Sequence, residues 1–207
     1  MAYKNSHTQM KKLLLLMLAV LPCLNAMAQQ DTDGYWDITQ KQDNGSTLRY
    51  LQSPEKLIKK KAVVDKYDTD IFVSYYNILT KETSRKGTKI QYKIAFDIED
   101  HIDFDVVKNN RLLIKLKDGQ LITLRTNKDC PAKYMSDGRY HAVVSYVVTT
   151  QQLNSIINVG VTKFRIETQL RNLDVEPDFD VAEATKEYKT NLYDRLNNKK
   201  DSFTDGF

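Results

Sequence analysis

A strict alternation of two residue classes runs from Lys89 to Ile98 and constrains the fold more than any other feature of the chain. One set is Ile90, Tyr92, Ile94, Phe96 and Ile98, and the other is Lys89, Gln91, Lys93, Ala95 and Asp97. Because successive side chains of a β-strand point to opposite faces, this period of two predicts a strand with one buried face. The segment 71–79, rich in β-branched and aromatic residues, predicts a second strand. The polar stretch 81–87 between them predicts a hairpin loop.

The segment 111–126 predicts a hairpin whose loop length follows from its side chains. A two-residue turn would place Ile114 opposite Thr123 and mix apolar and polar groups on one face. A three-residue loop, 117–119, places Ile114 opposite Ile122 instead. Burial of one face favours this second register, and the glycine that ends the loop suits the left-handed position of a type I turn with a bulge.

Two helices and two more strands are predicted toward the carboxyl end. The segment Tyr140 to Val148 is apolar at most positions, which predicts a central strand. Thr149 and Gln152 have the spacing of a capping box, and Gly160 follows the short helix that the box would begin. A strand is predicted over 162–168. In the final helix, Ala184, Tyr188, Leu192 and Leu196 recur every four residues and mark one face for burial.

These elements predict an α+β fold. The expected architecture is a single, mostly antiparallel twisted sheet of six to eight strands. A short helix near 150–159 and a C-terminal helix near 180–197 would pack on that sheet.

The amino end has the pattern of a cleavable secretory signal over residues 1–28, whether translation starts at Met1 or Met10. A basic pair, Lys11-Lys12, precedes an apolar run of about a dozen residues, and small residues end at Ala28. The run is shorter than the roughly 20 residues that span a bilayer, so no transmembrane segment is expected after cleavage. Lipid attachment at Cys23 is disfavoured, because Pro22 stands where a small residue is expected.

The mature chain would comprise a loosely ordered lead-in over 29–61, one domain over 62–200 and a tail over 201–207. The whole chain has a formal net charge of +4, but three lysines and no acidic residue lie in the signal, which leaves +1. This near-neutral balance gives no indication of a nucleic-acid partner. One cysteine, Cys130, would remain, so the fold depends on its apolar core rather than on an internal disulfide.

The region from Leu112 to Thr168 resembles small exported proteins of unassigned function from gut-type Gram-negative anaerobes. The resemblance rests on the succession of LLIKLKDGQLITL, YHAVVSYVVTTQQLNSIINVG and VTKFRIET. It implies an envelope or secreted location and an α+β fold. It carries over no functional residues.

An acidic group, EDHIDFD, is the strongest candidate for a metal site. The strand pattern continues through Ile102, Phe104 and Val106, so alternate residues of this group would share one strand face. Those residues are Glu99, His101, Asp103 and Asp105. Oxygen-rich ligands with one imidazole suit calcium or manganese better than structural zinc. The alternative is that this is only the solvated face of an amphipathic strand.

The candidates for nucleophilic catalysis are Cys130 and His141. A thiol nucleophile needs a base within reach, and His141 lies on the strand that follows the loop of Cys130. No GxSxG, HExxH or phosphate-binding glycine loop is present.

The sequence therefore leads to three functional hypotheses. The first is a non-catalytic binding module for a protein or glycan partner in the cell envelope, exported to the periplasm or beyond. The second is a hydrolase that uses Asp or Glu carboxylates or the Cys130-His141 pair. The third is a structural protein that binds a cation, with calcium the most suitable. Catalysis would predict a deep pocket lined by Asp, Glu or His, whereas a binding module would predict a shallow apolar patch.

Overall fold

The structure, a computed structural model, describes the backbone of residues 26–64 and 67–197 and the side chains of 28–58 and 71–197. The predicted signal peptide lies outside the described residues up to residue 25. Its last three residues belong to the first strand, β1 (Ala26–Gln30), which pairs with the next strand. The predicted tail, 201–207, also lies outside them.

Two long strands, β5 (Tyr67–Ser84) and β6 (Gly87–Asp100), form the centre of the fold. They pair antiparallel, and Ser84 lies opposite Gly87. The hairpin loop is therefore only two residues long, which corrects the prediction of a loop over 81–87. Polar residues continue both strands here because they lie at the exposed end of the ladder, where Glu82 and Lys89 lie opposite each other.

These two strands belong to an eight-stranded antiparallel sheet, which we call the large sheet. Its order is β1-β2-β3-β5-β6-β12-β11, and β4 also pairs with β5. The remaining strands are β2 (Trp36–Lys41), β3 (Thr47–Gln52), β4 (Lys56–Val64), β11 (Lys133–Tyr134) and β12 (Tyr140–Val148). Strands β3 and β4 follow each other along one edge of β5, and the chain breaks between them at 53–55.

The prediction of a loosely ordered lead-in over 29–61 is wrong. Strands β2 and β3 form a hairpin within the large sheet, with six pairs of opposite residues. The polar segment between them is a defined turn, in which the Gln42 amide donates to the Ser46 carbonyl and Gly45 has a φ of 76°. The polar composition did not reveal this order because several polar residues of the region are buried together with Leu51 of β3, namely Gln40, Ser46, Gln52 and Ser53.

The prediction of a single sheet is also wrong. A four-stranded sheet has the order β14-β13-β8-β9, and a two-stranded sheet pairs β7 with β10. The four strands are β8 (Arg111–Leu116), β9 (Leu121–Arg125), β13 (Val161–Glu167) and β14 (Asn172–Val175). The two short strands are β7 (Asp105–Val106) and β10 (Cys130–Pro131). A second sheet forms because both edges of β6 are already occupied and a helix leads the chain away from β12.

The predicted hairpin register is confirmed. Ile114 lies opposite Ile122, and Leu112 lies opposite Leu124. The Leu116 amide donates to the Gln120 carbonyl at 2.9 Å, so the loop is 117–119.

Both predicted helices are present: α1 (Thr150–Val159) and α2 (Val181–Asn197). Thr149 and Gln152 complete the capping box of α1. At the start of α2, the Asp180 carboxylate accepts hydrogen bonds from the amides of Ala182 and Glu183 at 2.8 and 3.2 Å. The buried face of α2 includes the four residues predicted from their spacing.

The main core lies between one face of the large sheet, the four-stranded sheet and the helices. Phe96 contacts Phe164 edge-on with ring centroids 5.1 Å apart, and Tyr75 contacts both rings at 5.8 Å. The Tyr75 hydroxyl hydrogen-bonds Thr185 of α2 at 2.6 Å. The predicted buried face of β6 is confirmed except at Ile90, which is 46% exposed because it lies near the hairpin end.

The opposite face of the large sheet, which we call the outer face, carries a small apolar cluster and the polar residues of the candidate site. The cluster consists of Tyr76, Ile78 and Ala95, packed against Tyr50 and Val143. Among the described helices, neither α1 nor α2 has the length and apolar character needed to cross a membrane.

Candidate functional site

A cleft of about 530 Å³ lies on the outer face of the large sheet. Its floor consists of alternate residues of the two central strands, Phe72 and Ser74 on β5 and Asp97 and Glu99 on β6. These positions alternate with the buried Val73, Phe96 and Ile98 along the same strands, so the pleat that fills the core also lines the cleft. Three parts of the chain form its walls: Gln30, Gly34 and Trp36 around β1 and β2, Gln52 to Glu55 and Leu57 around the β3–β4 connection, and Arg139 before β12.

Asp97 and His141 form an ion pair at the base of the cleft. The His141 Nε2 atom contacts the Asp97 carboxylate, and both side chains are nearly buried. Their strands are neighbours, and Val143, two residues after His141, lies opposite Asp97. Burial by itself lowers the pKa of His141, but the hydrogen bond to Asp97 and the charges of Asp97, Glu99 and Glu55 outweigh it, so the pKa is raised. The imidazole is therefore held toward its cationic form.

Glu99 and Arg139 form a second ion pair beside the first. The Arg139 Nη1 atom donates to the Glu99 carboxylate at 3.2 Å. The guanidinium also lies over the Phe72 ring, 4.4 Å from its centroid. A tight turn holds Arg139, since the Met135 amide donates to the Arg139 carbonyl at 2.7 Å. Arg139 thus presents a fixed cationic and planar surface to the cleft.

Glu55 lies in the connection between β3 and β4, and this connection is held rigidly. The Ser53 amide donates to the Asn77 carbonyl, and the Asn77 amide donates to the Ser53 hydroxyl, both at 2.9 Å. The side-chain amide of Gln52 donates through Nε2 to the Glu55 carboxyl at 3.4 Å, and the Tyr50 hydroxyl donates to the Gln52 side-chain carbonyl at 3.0 Å.

The carboxyl of Glu55 has a strongly altered acidity. Burial, followed by the negative charges of Asp97 and Glu99, raises its pKa to about 7, although the nearby His141 opposes the shift. Glu55 is therefore a carboxylic acid that is largely protonated in mildly acidic solution. Such a group in a cleft is able to donate a hydrogen bond or a proton.

Tyr76 lies beneath these residues. Its side chain is fully buried, and its hydroxyl has no hydrogen-bond partner among the described residues. Burial raises its pKa well above the usual value, and Tyr50, Asp97 and Glu55 raise it further. Tyr76 thus belongs to the small apolar cluster of the outer face, and it is not among the residues that line the cleft.

Trp36 forms the aromatic wall of the cleft, and the C-terminal helix holds this wall in place. In the preceding turn, Gly34 has a φ of 84°, and the Asp31 carboxylate accepts from the Tyr35 amide at 2.9 Å. The Tyr35 hydroxyl accepts from Asn191 of α2 at 2.8 Å. Arg195 of α2 forms an ion pair with Asp31.

The structure gives Cys130 and His141 different partners. The Cys130 thiol belongs to the main core, and its nearest acceptor is the Lys128 carbonyl at 3.9 Å. His141 contacts Asp97 on the outer face. Burial raises the pKa of the Cys130 thiol, which disfavours the thiolate that nucleophilic attack requires.

The four candidate metal ligands do not share one strand face, which corrects the basis of that prediction. Strand β6 ends at Asp100, and a bend places His101 and Asp103 in an exposed loop. Glu99 pairs with Arg139, and the Asp105 carboxylate accepts from the Ala132 amide at 3.0 Å. Within residues 28–58 and 71–197, no group of three or more His, Cys, Asp or Glu side chains could hold a metal ion.

The sequence reasoning found His141 and Glu99 but missed Asp97, Arg139, Glu55 and Trp36. The sequence placed Asp97 on the outward side of the most strongly predicted strand. Its pairing with His141 on the neighbouring strand, which indicates a functional site, is evident only in the structure. Glu55 gave no signal, because the break between β3 and β4 depends on pairing with β5, which lies well downstream.

Comparison with protein-family models, with curated proteins and with solved structures found no match to this chain.

Proposed function

We propose that the protein is an exported binding module for a glycan and that the cleft on the outer face is its binding site. The observation that carries the proposal is the combination, in one cleft, of the Trp36 and Phe72 side chains with polar groups at fixed positions. Sugar rings have apolar faces of C–H groups and a rim of hydroxyls. Aromatic side chains suit the faces, and the fork-shaped Arg139 and the carboxylate of Glu99 suit hydroxyl groups.

The dimensions of the cleft favour a glycan over a protein partner. A volume of about 530 Å³ lies within the range of about 300–1,000 Å³ that holds small ligands. A stable protein interface instead buries about 800 Å² on each partner. Asp97 and Glu99 in the cleft are already paired, so the hydroxyls of a ligand can bond to these two pairs without leaving either carboxylate unpaired.

Titration of the purified protein with an oligosaccharide panel, measured by calorimetry, tests the proposal. We expect one class of oligosaccharide to bind and the Trp36→Ala substitution to weaken its affinity by about tenfold, the effect of losing about 1.4 kcal/mol. The control is Leu121→Ala, which removes an exposed apolar side chain from the four-stranded sheet. Equal affinity of the Trp36→Ala variant and the control would contradict the assignment of the cleft.

A hydrolase is the second candidate function, and the contrast between Glu55 and Asp97 favours it. Glu55 is held toward its neutral form, whereas Asp97 contacts the His141 imidazole, whose pKa is raised. Two carboxyl groups in opposite environments form the pattern of a general acid and a base in glycoside hydrolysis. The lining of the cleft by Glu55, Asp97 and Glu99 also agrees with the Asp and Glu residues expected around a catalytic pocket.

Incubation with the glycans that bind distinguishes the two candidates. A hydrolase would release new reducing ends, and the Asp97→Asn substitution would abolish the release, whereas a binding module would return the glycan intact. The control variant is Asp178→Asn, which alters a carboxylate in the loop before α2, outside the residues that line the cleft.

A further inference from the structure

The carboxyl groups of the cleft differ in whether they have an ion-pair partner. Asp97 is paired with His141, and Glu99 is paired with Arg139. Glu55 has no cationic partner within 4 Å in the part of the chain that the structure describes, and its hydrogen-bond neighbour is the uncharged amide of Gln52. Glu55 is therefore the carboxyl group of the cleft that has no ion pair among the described side chains, although the charge of His141 acts on it from further away.

A second observation points to the same place. The Tyr76 hydroxyl, on which the charges of Tyr50, Asp97 and Glu55 act, is buried under the outer face and lacks a hydrogen-bond partner among the described side chains and backbone groups. This side of the cleft consists of carboxyl groups, hydroxyls and the Gln52 amide, whereas the two cations, Arg139 and His141, are already engaged by Glu99 and Asp97. A ligand atom bound near Glu55 thus meets an excess of acceptors, and a cationic donor satisfies them best.

We propose that the ligand carries a protonated amine that binds to the Glu55 carboxylate, so that the cleft selects an amino sugar over the same sugar bearing a hydroxyl or an acetamide. This inference rests on the proposed glycan-binding function. The ammonium group supplies the ion-pair partner that Glu55 lacks among the described side chains, and the aromatic ring of Trp36 in the same cleft favours a cation further. A neutral sugar would leave Glu55 without its ionic partner.

Proton linkage follows from this arrangement. The groups that act on Glu55 are Asp97 and Glu99 of β6, His141 of β12 and the Gln52 amide at the end of β3. Burial and the two carboxylates keep Glu55 largely protonated at pH 6, where its pKa of about 7 lies above the solution pH. An ammonium ion bound to it favours the ionised form, so Glu55 releases its proton when the amine binds.

Three disaccharides that differ only at the 2-position test the inference by calorimetry. They are the β-1,4-linked glucosamine disaccharide, its di-N-acetylated form and cellobiose, which carry an ammonium, an acetamide and a hydroxyl. At pH 7 we expect the amine to bind at least about tenfold more tightly than the other two, which corresponds to one charge-assisted hydrogen bond. Glu55→Gln is expected to reduce this ratio to about one, because only the amine loses an ionic partner. The Glu187→Gln variant, altered on the exposed side of α2, is expected to keep the preference.

The wild-type protein provides a second measurement that does not depend on a variant. Titrations at pH 6 in two buffers of different ionisation enthalpy report the protons released on binding. We expect a large fraction of one proton to be released with the amine and none with cellobiose. Equal affinities for all three disaccharides, or a preference that persists in Glu55→Gln, would overturn the inference and leave the proposed function standing. If no glycan binds at all, the proposed function fails, and the inference fails with it.

Discussion

The carboxyl groups of the outer face differ in how the protein compensates their burial. Asp97 and Glu99 each contact a cationic side chain, whereas Glu55 contacts only an amide. Burying a charge without a partner costs several kcal/mol, so Glu55 is compensated by protonation instead. Its raised pKa is thus a consequence of the break between β3 and β4, which places its carboxyl in the cleft without an ion-pair partner among the described side chains.

The Glu55→Gln substitution is expected to change how stability depends on pH. The folded-state pKa of about 7 lies above the reference value of 4.5, so the folded state binds the proton more tightly than the unfolded state. The stability from this group is therefore complete below about pH 4.5 and is lost as the pH rises to about 7, by about 3 kcal/mol at most. Glutamine keeps the neutral form at all pH values. Urea unfolding is expected to show a higher free energy of unfolding for the variant than for the wild type at pH 8, and no such gain at pH 4.5. The same dependence of unfolding free energy on pH in the wild type and the variant would contradict the burial of Glu55.

Two arginine substitutions are expected to differ because their carboxylate partners differ in exposure. Arg171 pairs with Asp100, which is fully buried, whereas Arg165 pairs with Asp174 in a more exposed setting. Arg171→Ala leaves a buried carboxylate without its partner and is expected to lower the free energy of unfolding by about 3 kcal/mol. The matched control, Arg165→Ala, is expected to cost less than about 1 kcal/mol. Urea unfolding at pH 7 measures both, and equal effects would show that the Asp100 pair is not buried in solution.

At the scale of single elements, local sequence rules predicted the structure where an element depends on its own residues. The hairpin β8–β9 has its predicted register because only one pairing places Ile114 and Ile122 on a common face. The short helix α1 begins at its predicted cap because Thr149 and Gln152 satisfy each other's backbone groups. Both features follow from residues a few positions apart.

The sequence rules failed where an element depends on distant pairing. Strand β3 is half-buried along most of its length and is ordered by its hairpin with β2 and by residues 78–83 of β5. The chain bend after Asp100 also depends on a distant residue, since the Arg171 side chain pairs with this aspartate from the β13–β14 connection. Tertiary pairing of this kind leaves no periodic trace in one sequence, which explains why the candidate metal ligands did not fall on one strand face.

The Thr149→Ala substitution tests the cap of α1. The Thr149 hydroxyl accepts a hydrogen bond from the Gln152 amide at 3.2 Å, and its loss is expected to cost about 1 kcal/mol of stability. Thr150→Ala is the matched control, because Thr150 is exposed and lies within the helix, where alanine is the better helix former. Thermal unfolding followed by circular dichroism is expected to show a lower Tm for the first variant only. A lower Tm for both would indicate that the hydroxyl of Thr149 is not a specific cap.

At the scale of the whole molecule, the two faces of the large sheet have separate roles. One face packs against the four-stranded sheet and the helices, and the other carries the cleft. The C-terminal helix connects both, since it packs in the core and also holds the cleft wall. Arg49 of β3 donates to the carbonyls of Arg195 and Leu196 at the end of α2, which satisfies backbone groups that a helix end leaves free. The sequence predicted the burial of this helix from its period, whereas its contact with the amino-terminal strands required the structure.

The proposed export of the protein leads to a prediction about its mature amino end. Signal cleavage after Ala28 would remove most of β1 and keep Gln29 and Gln30, so the turn from Asp31 to Tyr35 and the Trp36 wall would stay attached to α2 through Asn191 and Arg195. Cleavage is therefore compatible with an intact cleft. Intact mass measurement of the protein purified from the periplasm or medium is expected to give a chain that begins at Gln29. A chain of full length in the cytoplasm would contradict export, and a lipid-modified chain beginning at Cys23 would show a membrane-anchored form instead.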